Sequence, residues 1–566
     1  MSKIKSFIKF RVLGLISLLA FMLVIDEGMN PKELHEFFLN NSPYKETQLL
    51  NRSERKAEGL PPNQYHEQLF DLTLNPTTGK VDYSSKLEAQ QQIESGVSDA
   101  ARFAVPGQSG TTPWYEIGPK NHAGRSRAAV WDESDTTTRT IIAGGVSGGL
   151  WRNNDITSGL SEWTRITGVP GNLAVSVIVQ DPGNANVLYL GTGESYTSGD
   201  AFGNGIYKST NAGVDWDLVF GRGTSTTVTN TGSSPSNLRV EGFFTVNDIV
   251  LYDHDKNPAT DAQVFAGLSS ASHYRRSTFF GTWTDENVVG LWKSTDGEAG
   301  NWNRIASVNN GSTRGENVND IEVQEVSNRI WLSTKRSALG PSYGLGARFW
   351  YSDDGISFTR VTPTFPAFPN TSDNNRRRTE IASSHQNTDT HYIVIETSGT
   401  ASSSGEIPVI YRTTDNFSTF SYIEPPLDID TGIPDFDYTR GQSFYDLEIE
   451  IDPSNDNIIY VGGIDWFRSQ NGGSDWSQIT KWSNNNLLSG LNCSIVHADQ
   501  HGLYFKPGDP DKAIVVNDGG VYYSSSLSTA SDTSTFAGME KNMITTQFYA
   551  VAQSPVDFAG ADWIIG

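Results

Sequence analysis

The chain has 566 residues, with 65 acidic against 42 basic side chains and a formal net charge of −23. That balance excludes a nonspecific nucleic-acid binder, which needs a positive field to displace counterions from phosphates. With 36% apolar and 11% aromatic residues and 54 glycines, the composition is too aromatic for a disordered chain and suits a β-rich protein with many turns. The single cysteine, Cys493, excludes an intrachain disulfide framework or a multi-cysteine metal site.

At ~150 residues per domain the length suggests roughly three to four domains, a count that a repeat architecture overrides. Residues 1–25 begin with a cationic stretch, Lys3, Lys5, Lys9 and Arg11, followed by an uncharged run from Val12 to Ile25. The run suits the apolar core of a signal peptide and is short for a membrane span, which needs ~20 residues. No small-x-small cleavage site follows, so a signal peptide and an uncleaved membrane anchor through residues 12–25 both stay open. Export without disulfides points to a bacterial protein, secreted or held at the cell surface. Residues 26–112 read as a partly helical extension (Pro31–Asn40, Ser85–Ser95) closed by a linker at Pro106–Thr112.

From Trp114 onward one unit recurs. It opens on an apolar or alternating strand such as Val175–Val179, Asp248–Leu251 or Leu447–Ile451. A turn follows, often Asp-Pro (Asp181-Pro182, Asp452-Pro453, Asp509-Pro510), then a β-branched strand ending near Gly. The third element is the most specific: GIYKSTNAGVDW at Gly205–Trp216, GLWKSTDGEAGNW at Gly290–Trp302, RFWYSDDGISF at Arg348–Phe358, VIYRTTDNFSTF at Val409–Phe420 and DWFRSQNGGSDW at Asp465–Trp476. The Asp or Asn bonds nearby backbone N–H groups to fold the loop, and the Gly takes the positive φ. The terminal Trp or Phe buries a large apolar area between sheets. Weaker copies lie at Leu150–Asn154 with Trp163 and at Val521–Ser524. The fold expected is an all-β β-propeller of about seven four-stranded blades over 113–545, at roughly 113–170, 171–240, 241–315, 316–370, 371–438, 439–490 and 491–545. Residues 546–566 are expected to start a second, truncated propeller half.

These boxes resemble the Asp-box, or bacterial neuraminidase repeat, of sialidases, of the sortilin ectodomain and of xyloglucanase-type glycoside hydrolases. Asn121–Arg125, Gly144–Trp151, Tyr189–Glu194, His497–His501 and Asn517–Tyr522 are further similar to a sortilin-like or glycosyl-hydrolase-like group of large secreted bacterial propellers. The resemblance implies that Asn211, Asp296, Asp354, Asp415 and Asn471 are structural, on the blade periphery. It also implies a catalytic Asp before a Gly-Gly pair in the glycosidases; placing Gly148-Gly149 there puts Val146 at the acid's position, and valine cannot transfer a proton.

Two constellations remain as candidate sites. His497-x-Asp499-x-His501, if on a strand, puts three side chains on one face and is a weak metal candidate beside a hydrogen-bonded lining. A ring of polar residues opens the innermost strands: Arg125 or Arg127, Asp248, Asp320, Glu380, Asp446 and Asp499, joined by Glu194 and Asp518. The contiguous Arg376-Arg377-Arg378 reads as a solvated loop. The expectation is an extracellular binding module with a carbohydrate or protein ligand at the channel mouth, held by Arg125, Glu194, His497, Asp499 and His501, with no cofactor. The alternative is a glycoside hydrolase using carboxylates among Glu194, Asp446 and Asp518.

Overall fold

The computed structural model of the protein describes residues 118–548, apart from 172, 197–202, 222–225, 229–235, 239–244, 254–261, 271–287, 312–313, 338–343, 367–375, 399–405, 435 and 532–534, with a few short pieces on either side. Residues 1–25, most of the extension 26–112 and most of 546–566 lie outside the described residues. Residues 1–86 with 276–281 form one compact unit, and the remainder forms a second. In the first, Asn51 and Glu54 cap one another's backbone N–H groups, a pattern that starts a helix. All that follows concerns the second unit.

Seven antiparallel sheets of four strands each follow in chain order. The first blade takes Ser126–Trp131, Ile141–Gly145, Leu150–Asn153 and Trp163–Ile166. The first strands of the others are Val175–Asp181, Val246–Tyr252, Val318–Gln324, Arg376–Ser383, Glu448–Ile451 and Gln500–Lys506. Each first strand packs on the first strand of the next blade, and the seventh packs on the first, so the first strands form the hub of a closed seven-bladed propeller.

The core lies between blades rather than inside them. Seven apolar clusters each draw on two neighbouring blades; one joins Tyr189, Ile206 and Phe220 of blade 2 to Val246, Val264 and Trp292 of blade 3. Another joins Trp131, Ile141 and Trp163 of blade 1 to Ile514, Val516 and Val521 of blade 7, which closes the ring. The aromatics that end the repeated turns are buried in these seams at Trp163, Trp216, Trp302, Phe358, Phe420 and Phe536.

The turns between third and fourth strands share one bonding pattern. Ser352 Oγ donates to Asp354 Oδ1 at 3.0 Å, and the same oxygen accepts the Ile356 and Ser357 N–H groups at 2.8 Å. Ser294/Asp296, Thr413/Asp415, Ser209/Asn211 and Ser469/Asn471 repeat it. Gly297 and Gly355 supply φ of +66° and +64°; a Cβ on Gly297 would strike the Tyr189 ring. Strand alternation puts these turns at the end opposite to where the first strands begin.

Closure rests on a strap. Beyond the last strand of blade 7, Met539 and Met543 enter the blade 1–blade 7 cluster. The Trp163 N–H donates to Lys541 O at 3.0 Å, the Asn542 N–H to Lys120 O at 2.7 Å, and Thr545 Oγ1 accepts the Gly124 N–H at 2.9 Å.

Candidate functional site at the hub mouth

The end of the hub where first strands begin and second strands finish gathers the polar residues. In every blade but the sixth the first strand is irregular there. Single residues are bulged out at Arg127, Ser176, Asn247, Asn319 and His501, and a pair at Arg377-Arg378. A bulge turns its side chain out of the pleat. Here the bulged residue reaches the next blade: Ser176 Oγ donates to Val246 O at 2.5 Å, Asn247 Nδ2 to Val318 O at 2.9 Å, Asn319 Nδ2 to Thr379 O at 2.8 Å and Arg378 Nη1 to Tyr445 O at 2.8 Å.

In blades 3 and 4 the ring anticipated from sequence is therefore shifted by one position, from Asp248 and Asp320 to Asn247 and Asn319. Asp248 and Asp320 stand just past the bulges and accept backbone N–H groups from the following blade, Ile321 at 2.8 Å and Ile381 at 2.6 Å. They are inter-blade stitches. Burial pushes Asp248 up to about 7 and Glu322 up to about 7, and Glu448, also raised by burial, reaches about 8.

Arg376–Arg378 is no solvated loop. It opens the first strand of blade 5, and Arg376 and Arg378 are buried. The broken pleat sends the three apart: Arg376 stacks on Phe365 at 4.1 Å, Arg377 lies 3.4 Å from Glu396, and Arg378 enters the hub between Glu380 at 2.5 Å and Glu448 at 3.0 Å.

Above the stitches, Glu194-Ser195-Tyr196 leaves the second strand of blade 2 and crosses the mouth. The Tyr196 ring has Arg378 Cζ at 4.0 Å, Lys335 Nζ at 4.7 Å and Arg127 Cζ at 4.8 Å, a three-cation π contact. The phenol donates to Asn319 Oδ1 at 3.2 Å. Lys335 Nζ donates to Ser195 O at 2.9 Å and Oγ at 2.7 Å; burial, then Arg378, brings its ammonium down to about 7. The mouth is thus floored by the chain itself.

Glu194 is fully buried, with Arg127 Nε at 2.7 Å and Arg125 Nη1 at 3.5 Å. Tyr445 OH donates to Asp518 Oδ1 at 2.6 Å, and His501 Nε2 lies 2.7 Å from the same oxygen. Burial opposes the Asp518 charge, but these bonds from His501 and Tyr445 hold its carboxyl below the usual range, while burial brings His501 down to about 4. Arg125 spans the group, reaching Tyr445 OH at 3.3 Å and Gln547 Oε1 at 3.0 Å. Arg125 and Asp518 are the partly exposed members.

Of the residues expected from sequence, Arg125, Glu194, His501 and Asp518 come together, through Arg127 and Tyr445. Asp446 is fully buried and raised well above the carboxylate range by burial. The strand of blade 7 starts only at Gln500, and Asp499 has φ +66°, so His497, Asp499 and His501 do not share a strand face. His497 is exposed with its ring over Gly519, and His501 is buried. Among the described residues no group of three His, Cys, Asp or Glu is gathered to hold a metal ion. Val146 is buried against Ala174 beside Gly148 and Gly149, and the φ of +85° at Gly148 lets the loop pass the strap at Thr545. The sequence reading missed Tyr196, Lys335, Arg378 and Tyr445.

No protein-family model and no curated protein matches the chain. Solved structures do. A GH74 enzyme from Niastella koreensis is 18% identical over 75% of this chain and 55% of its own, with a TM-score of 0.45. The GH74 xyloglucanase from Xanthomonas campestris is 16% identical over 72% and 52%, at 0.45. YCF48 from Cyanidioschyzon merolae is 14% identical over 72% and 97%, at 0.41. The chain spans about half the length of the two GH74 enzymes. At these identities the likeness is one of fold.

Proposed function

We propose that the protein is an exported Asp-box propeller that works as a binding module, taking a carbohydrate or a protein segment at the hub mouth. The observation that carries this is the commitment of the mouth's carboxylates. Glu194 is sealed between two arginines, Asp446 is buried, and Asp518 Oδ1 is bonded by Tyr445 and by His501. A glycosidase needs one carboxyl group poised to give a proton and a second facing the sugar; of these three only Asp518 reaches the surface, held below the usual carboxylate range, and no proton-giving partner among them stands in the open beside it. What it supplies is a rigid base with Arg125 and Asp518 at its surface, and rigid scaffolds with a few convergent polar groups suit binding.

The Ser/Thr-Asp/Asn bonding of the turns supports the Asp-box kinship. The test is titration calorimetry against panels of polysaccharides and peptides, with a reducing-end assay on the same polysaccharides. The expected result is binding without new reducing ends, weakened about tenfold or more in Arg125→Ala, a loss of ~1.4 kcal/mol, with the melting temperature kept. New reducing ends that vanish in Asp518→Asn would establish the glycoside hydrolase instead.

A further inference from the structure

Among the described residues, six large apolar side chains exposed to solvent come from just two connections: Leu427 (59%), Ile429 (39%) and Phe444 (36%) from residues 424–447, and Trp482 (37%), Leu487 (58%) and Ile495 (49%) from residues 479–499. Both connections join the outermost strand of one blade to the first strand of the next, flanking blade 6 on the mouth face. Residues 167–174 make the same crossing between blades 1 and 2, so the fold does not require this length.

The two connections are built, and they are tied together. Alternation from Leu427 to Asp430 turns the apolar pair outward and the carboxylates inward, where Arg440 holds Asp428 at 2.9 Å and Asp430 at 3.1 Å. Trp482 Nε1 donates to Asp430 Oδ2 at 3.4 Å, the Ile429 N–H to Gln478 Oε1 at 3.3 Å, and Arg440 Cζ lies 5.7 Å from the Trp482 ring. Buried Lys481 donates to Leu488 O and Leu491 O at 3.3 and 2.6 Å, and Ile495 pairs with Lys481 beside Trp482. Leu487, Trp482, Ile495, Leu427 and Ile429 therefore belong to one plate. An apolar area held out on a bonded frame marks an interaction site, and a Trp backed by Arg is the composition of an interface hot spot.

The geometry points to a polypeptide partner that carries an apolar ridge flanked by basic side chains and docks on the Trp482 plate. Branched aliphatics offer no flat face to a sugar and interlock with protein side chains. A second copy would bring another −23 charges, and an anionic bilayer would repel the chain in the same way. A cationic segment gains from that field. The plate extends the hub-mouth reading but does not rest on it.

The test uses the full chain and a fluorescent amphipathic helix of leucine and lysine, roughly five turns long, with its leucine–glutamate twin. Anisotropy is read at low and high salt. The lysine peptide binds, the glutamate twin does not, and Leu487→Asp and Trp482→Ala each weaken binding about tenfold, or ~1.4 kcal/mol. Leu160→Asp, an exposed site on the opposite face, leaves it unchanged. Failure of the lysine peptide to bind, or equal binding by all variants, overturns the proposal. So does a dimer seen by light scattering that Leu487→Asp dissolves, or co-sedimentation with phosphatidylcholine vesicles.

Discussion

Asp354 shows what one side chain contributes. Backbone N–H groups of Ser357 and Ile356 hold its carboxyl below the usual carboxylate range, and Asp296 and Asp415 are lowered in the same way, by the Glu298 N–H and the Thr419 hydroxyl first. A group lowered on folding contributes stability that is present above its unfolded pKa and lost as pH falls through the folded one. Asp354→Ala strands two backbone donors and a hydroxyl, so urea unfolding should show a loss of about 1–2 kcal/mol at neutral pH, and an unchanged midpoint would refute the turn's structural role. These turn residues were legible because every partner lies within a few positions in sequence. Tyr196, Lys335, Arg378 and Tyr445 were not, because they come from separate blades, and nothing local distinguishes a tyrosine that will sit under three cations.

The first strands explain the rest of the difference. Taking the polar residue that opens each apolar run places Asp248 and Asp320 in the ring, and three contiguous arginines, whose side chains would not converge on a regular strand, read as a loop. One extra residue in each of these two strands moves the ring from Asp248 and Asp320 to Asn247 and Asn319, and a bulge leaves no mark in hydropathy. The packing also has a consequence for pH. Glu322 and Glu448 are raised by burial, to about 7 and about 8. Such groups favour the folded state below their unfolded pKa of 4.5, and that benefit drains away as pH rises through the folded values. His391 and His501, lowered by burial to about 4 from 6.5, act oppositely and stop contributing change above 6.5. Lys335, lowered by burial to about 7 from 10.5, adds stability as pH rises past 7, so the melting temperature should fall between about pH 6.5 and 7, and Glu322→Gln should flatten that fall. A wild-type curve rising over this window would contradict the account.

At the scale of the molecule, repeated aromatics and turn spacing sufficed to foresee a wheel, because each blade–blade seam needs one large plug and each blade has one. The fastening of the wheel was not foreseeable, since the strap reads as ordinary loop. Trp163 is the plug that the strap covers: its indole Nε1 donates to Met539 O and its backbone N–H to Lys541 O. Trp163→Ala should cost roughly 3–5 kcal/mol and expose the blade 1–blade 7 seam first, as hydrogen exchange would show in Ile141–Gly145 and Asp509–Asn517 ahead of blades 3 to 5. Uniform exchange across all blades would count against a fastening at that seam.

Among the described residues no blade borrows a strand from elsewhere in the sequence, and Thr546 Oγ1 donates to His122 O at 2.6 Å. The two ends of the wheel's own stretch therefore lie within reach of a short glycine linker. A circular permutant, rejoined there and cut open at the exposed hairpin Val326–Asn328 of blade 4, should rebuild the same assembly in a new order of synthesis. It would also relieve the strap of its duty, because a covalent bond would then hold the gap it spans.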